Sequence, residues 1–183
     1  MNRIEVTEVE KKLKVWKNIK FYFPYKELTG VPKWRTAVLT CMDCRITSNV
    51  FGVEDPGEMT ILRNAGALLT PDSLRSLLIA IYELHVRNIF VCGHTQCGGQ
   101  MSQRRMDKTI NKISKQAHSP PETVLEILGV KNASQAFLGF EDVSQQVMKT
   151  VSLVKNHPLI SPMGVHVSGF VYDTQSGEFV KIL

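Results

Sequence analysis

The sequence has few cysteines, no long apolar run and no visible repeat. With 4 cysteines in 183 residues it is not a disulfide scaffold. Those cysteines instead gather at two places, Cys41 with Cys44 and Cys92 with Cys97, which points to metal or redox chemistry in a reducing compartment. No stretch approaches the roughly 20 apolar residues of a membrane span. The opening Met1-Asn2-Arg3-Ile4-Glu5-Val6 is charged and lacks the apolar core of a secretory signal, so a cytoplasmic protein with no membrane partner is expected. The net charge of +5 comes without an aromatic-rich RNA motif or a recognition-helix signature. Its positive residues are scattered over Lys11, Lys12, Lys14, Lys17 and Lys20 and over Arg104, Arg105 and Lys108. They read as solvated helix faces, and no nucleic-acid partner is expected. What remains, 43% apolar and 21% charged residues, is the profile of one globular domain with a core of its own.

Residues 1–33 read as an N-terminal arm. Val6, Val9, Leu13 and Trp16 make an amphipathic helical stripe, and Pro24, Gly30 and Pro32 make a loop. The domain proper runs over 34–183. Its first strand, about Thr36 to Thr40, is apolar almost throughout, as for a strand covered on both faces. A short helix or loop over 46–57 closes at Asp55-Pro56-Gly57, and a second strand spans Met59 to Leu62. Thr70-Pro71-Asp72-Ser73 begins a helix reaching His85. A third strand runs from Asn88 to Cys92. Residues 100–121 are polar and read as a short helix followed by a mobile loop. Helices are expected again after Pro121, stopping at Gly129, and from Phe140 to Asn156. Val165 to Tyr172 is the last main strand, followed by an antiparallel return from Glu178 to Ile182. Alternating strands and helices imply an α/β fold: a central, mostly parallel sheet flanked by helices on both faces, with an antiparallel edge strand near the C-terminus. Sites in such sheets form beyond the carboxyl ends of the strands.

Two strand ends carry the chemistry. The first strand runs into Cys41-Met42-Asp43-Cys44-Arg45, and the third into Gly93-His94-Thr95-Gln96-Cys97-Gly98-Gly99. Thiolate and imidazole are ligands that zinc prefers, and a catalytic site leaves one of four positions open. Cys41, His94 and Cys97 supply three. If residues 41–45 stay extended, alternation puts Cys41, Asp43 and Arg45 on one side, with Cys44 a packed thiol on the other. Two thiolates neutralise the ion's charge and weaken it as a Lewis acid. Asp43 is therefore expected to orient bound water, with Arg45 keeping it ionised through a two-pronged hydrogen bond. Released by Arg45, Asp43 could itself become the fourth ligand.

The pattern Cys41-x-Asp43-x-Arg45, then Arg63-Asn64-Ala65-Gly66, then Gly93-His94-Thr95-x-Cys97-Gly98 resembles the β-class carbonic anhydrases. The short chain, with Asn156-His157-Pro158 and Gly164-Val165-His166-Val167-Ser168-Gly169 near its end, is most similar to the compact prokaryotic branch. The resemblance covers about residues 34–183. It implies a zinc ion on Cys41, His94 and Cys97, catalytic roles for Asp43 and Arg45, reversible hydration of CO₂ to bicarbonate, and assembly into homodimers or larger oligomers. Cys44 and Gln96 depart from the family's commoner residues. The same ligand set serves hydrolases of carbonyl sulfide and carbon disulfide, which are also linear and apolar, so substrate is open at this level.

Other readings stand beside this one. Cys44 as a fourth ligand would make a structural zinc site and a non-catalytic module, but it leaves Asp43 and Arg45 without a task. Cys41-x-x-Cys44 is the spacing of a thiol–disulfide enzyme, but His94 and Cys97 would then be idle. Cys92 reads as core, and His85, His118, His157 and His166 as residues without a metal role.

Overall fold

Strand β1, Thr36–Cys41, is an inner strand of the sheet and is buried along its whole length. The computed structural model describes residues 28–183. The helical stripe at Val6 to Trp16, and most of the arm expected over 1–33, lie outside the described residues. On either side of β1 run β2, Thr60–Asn64, and β3, Asn88–His94, both parallel to it. Strand β4, His166–Tyr172, continues the parallel set, and β5, Phe179–Lys181, closes the edge antiparallel. The spatial order is β2-β1-β3-β4-β5. The chain leaves β1 first to one side and then crosses to the other. The connections leaving the carboxyl ends of β1 and β3 therefore diverge at a switch point, where such sheets leave a crevice.

Helix α1, Pro71–Tyr82, starts at a reciprocal cap between Thr70 and Ser73, with Pro71 at the position where its missing N–H costs nothing. Its Leu77, Ala80 and Ile81 pack on Ala37 and Ile89 together with Val154 from α5, Val143–Lys155. Val147 and Val151 of α5 pack on Val91 and Val171. Ala37 and Ile89 are paired across the sheet, and all the strand residues named share one face. Both helices thus cover the same face. Of the two helical layers expected, the described residues supply one; the other face carries Phe90, Cys92 and Phe170 and is approached by Val50, Phe51 and Met59.

The polar stretch after Gln100 corrects the sequence reading. The short helix expected there is a full 15-residue helix, α2, Gln103–Ala117, capped by Ser102, and it takes up the length expected for a mobile loop. Its apolar stripe is thin, yet Met106 and Ile110 close a satellite core with Val124 of α3, Pro121–Ile127, and Ala133 of α4, Ala133–Phe137. A helix paired with short helices, and not with the sheet, needs few apolar residues to bury its contact face. That is why hydropathy alone misread it.

Candidate metal centre

Cys41 ends β1 and His94 ends β3, neighbouring strands whose register the ladder fixes. Beyond His94 the chain must turn at once to return Cys97 to the same point. It does so with Gln96 in the left-handed region, at φ 55°. Cys41, His94 and Cys97 are buried, and their ligand atoms lie within 4.8 Å of one another. The two sulfurs are 3.7 Å apart. A tetrahedral zinc with Zn–S bonds of about 2.3 Å separates two thiolates by about 3.8 Å, so the pair is already set for that ion.

The imidazole supplies a second, independent sign. Its Nδ1 lies 2.8 Å from the Thr95 carbonyl oxygen. A carbonyl only accepts, so Nδ1 carries the proton and Nε2 keeps a free lone pair. His94 is fully buried, and among the described residues Nε2 has no hydrogen-bond partner. A buried nitrogen without a partner costs about 1–3 kcal/mol, and a bound cation removes that cost. The outward N–H to a backbone carbonyl is the second contact that metal-bound histidines make.

Between the sulfurs the proton is unevenly held. The Cys97 hydrogen bond, together with the Gly66 N–H at 3.5 Å, keeps the Cys41 thiol well below its usual range, while the same contact and burial push Cys97 up. Gly66 makes this approach at φ 86°, and a Cβ there would stand 2.8 Å from the Phe140 ring. Arg63, on β2, donates to the carbonyl oxygens of Cys41 at 3.2 Å and Asp43 at 2.6 Å, holding the strand end in place.

Asp43 and Arg45 come together differently from the extended alternation expected. The extended run stops at Cys41, and the Arg45 backbone N–H folds back onto Asp43 Oδ1 at 3.0 Å. This turn brings the guanidinium onto the carboxylate: Nε donates to Oδ1 at 2.9 Å and Nη2 to Oδ2 at 2.8 Å. Those charged hydrogen bonds hold the Asp43 carboxyl far below the usual carboxylate range. Oδ2 stands 3.9 Å from His94 Nε2, at the mouth of the ligand triangle. The turn also throws Cys44 outward. It is exposed, not a packed thiol, and it lies outside the ligand group. Cys92, by contrast, is buried between strands, and burial pushes its thiol up to about 12.

A family model described as carbonic anhydrase matches residues 36–179. The chain belongs to the β-class carbonic anhydrase family. YvdA of Bacillus subtilis, a protein named after carbonic anhydrase, is 31% identical over 170 residues, covering 90% of this chain and 84% of its own. The crystal structure of a carbonic anhydrase from Streptococcus mutans superposes with a TM-score of 0.78 at 29% identity, over 100% of both chains. A carbon disulfide hydrolase of Acidithiobacillus thiooxidans is 32% identical over 149 residues, covering 76% of this chain and 68% of its own. Zinc is the cofactor of the family, and the sulfur–nitrogen–sulfur group suits it. Arg63, singled out in the sequence only as part of a motif, proves to be the brace of both Cys41 and Asp43.

Proposed function

We propose that this carbonic anhydrase hydrates CO₂ reversibly to bicarbonate, with Cys41, His94 and Cys97 holding zinc and with Asp43 and Arg45 serving the reacting water. The observation that carries the reading is the 3.7 Å sulfur pair facing a buried imidazole nitrogen without a partner. Bound zinc would supply the Lewis acidity that lowers the pKa of water and makes it nucleophilic, less strongly than an ion held by neutral ligands alone. The chain's own residues do the rest. His94 keeps its proton on Nδ1 and offers Nε2 inward, while the two thiolates offset the charge of the ion. Asp43, ionised throughout the working range, accepts a hydrogen bond from the water and fixes which lone pair faces the carbon. Arg45 occupies both carboxylate oxygens and so sets the direction of that acceptor. The product is an anion, and the guanidinium beside Asp43 favours its formation at this mouth. Stopped-flow CO₂ hydration, on protein of measured zinc content, tests the proposal; a zinc-loaded protein without hydration across pH 6–9 would refute it.

A second reading has a specific support, the similarity to carbon disulfide hydrolases at 28% and 32% identity. In it the same water adds to CS₂ or COS; CS₂ with two waters gives CO₂ and two H₂S. Release of H₂S under the same conditions separates the two. We further infer a homodimer or larger homo-oligomer in the cytoplasm. An apolar hollow of about 240 Å³ on the sheet face opposite α1 and α5, lined by Phe51, Phe90, Phe170 and Phe179, supports self-association. The gathering of the cysteines at two strand ends, where two of them are candidate metal ligands, supports a reducing compartment. No helix among the described residues is long and apolar enough to cross a membrane. Analytical ultracentrifugation checks the assembly.

A further inference from the structure

Gln96 sits between the two ligands of the second loop and belongs to neither of them. Its side-chain oxygen accepts from Arg45 Nη1 at 3.2 Å, and its own carbonyl accepts from Arg45 Nη2 at 3.2 Å. The guanidinium is planar, with its donors in a fixed fork. One edge of that fork lies on Asp43 and the other on Gln96. Without Gln96 the second edge would face water, because the Arg45 side chain is 43% exposed. A half-exposed arginine held along one edge alone swings readily, since its long side chain regains rotamer freedom.

We propose that Gln96 is a positioning residue for CO₂ hydration, acting through Arg45 on Asp43; this rests on the functional reading above. The clamp ties the loop that carries His94 and Cys97 to the turn that carries Asp43. The carboxylate is thereby registered against ligands from both strand ends, not only against its own turn. The left-handed backbone at Gln96 is what aims its carbonyl and its side chain at Arg45 together.

The test uses ¹⁵N-labelled, zinc-loaded protein. The Arg45 Nε–H signal is assigned by its loss in Arg45→Lys, and its exchange with water is measured beside zinc content and CO₂ hydration. Gln96→Met keeps the side-chain length and loses the acceptor. It should speed that exchange about five-fold, the effect of one hydrogen bond, and lower kcat to a similar degree with zinc retained. Gln96→Glu, which keeps an oxygen at the same place, should hold exchange within about two-fold of the parent. Gln96→Gly suits the positive φ and keeps the carbonyl contact, so it reports on the side chain if the Met variant fails to fold; it should behave like Met. Unchanged exchange in the Met and Gly variants overturns the proposal. So does faster exchange with kcat unchanged, or zinc loss in Met and Glu variants alike, which would make Gln96 a loop-forming residue. Exchange is read whether or not the parent hydrates CO₂, so failure of the functional reading is seen separately.

Discussion

Arg45 holds Asp43 by both carboxylate oxygens, at 2.9 and 2.8 Å, and its backbone N–H adds a third contact to the same carboxylate at 3.0 Å. An ammonium cannot reproduce that fork. Arg45→Lys should therefore retain zinc and lower CO₂ hydration about 10- to 100-fold, the usual effect of losing an outer partner at a metal site. Asp43→Asn should also retain zinc and slow turnover. Unaltered rates in both would remove the pair from the mechanism.

Removal of the metal should cost stability. With free zinc about a hundred-fold above its dissociation constant, the bound ion contributes about 2.7 kcal/mol, or about 5–10 °C in Tm for a domain of this size. Scanning calorimetry before and after a chelator should show that fall, reversed by zinc. Cys41→Ala, His94→Ala and Cys97→Ala should each abolish the zinc-dependent difference.

Cys92 predicts an alkaline weakness. Burial raises its pKa in the folded protein to about 12, against about 8.5 unfolded. Below about pH 8.5 the thiol is protonated in both states and the contribution is fully present. As pH rises from there towards 12 the unfolded chain releases the proton and the folded one does not, so stability falls by up to about 1.4 kcal/mol per pH unit. Urea unfolding at pH 9 and 10.5 should show a shallower loss in Cys92→Ala than in the parent. Equal slopes would contradict the assignment.

Gly93 lies where β3 meets α5. A Cβ there would stand 2.8 Å from a methyl of Val143 and 2.8 Å from one of Val147. Gly93→Ala should cost about 1–3 kcal/mol by overpacking, and it should displace the adjacent His94 enough to weaken zinc retention. A variant with parental Tm and zinc content would show that α5 yields more easily than its packing implies.

Cys44 is exposed and outside the ligand group, so Cys44→Ser should leave zinc and hydration unchanged. Iodoacetamide should label Cys44 before Cys92, as mass mapping would show. Loss of activity in Cys44→Ser would revive a redox or fourth-ligand role for it.

The strands were legible because they read as short apolar runs bounded by polar or turn residues, and β1, β3 and β4 all lie within a residue or two of their expected ends. Helix α2 was legible only as a short helix and not in its full length, since a helix that buries a narrow stripe against other short helices carries few apolar residues to signal itself. In the site, residue types at two strand ends were enough to name Cys41, His94 and Cys97, because few combinations of side chains ligate zinc. The sequence alone therefore determined the family and the sheet, and it singled out Cys41, His94 and Cys97 as the candidate ligands that the fold brings within 4.8 Å of one another. Only tertiary structure decided that the Asp43–Arg45 grip comes from a turn, that Cys44 faces out, that Arg63 braces the strand end, and that Gln96 reaches Arg45 from the other loop. Side-chain identity is local information, but those contacts join residues 20 to 50 or so positions apart or depend on where a strand stops hydrogen bonding. That is settled only when the β1–β3 register brings the two ends side by side.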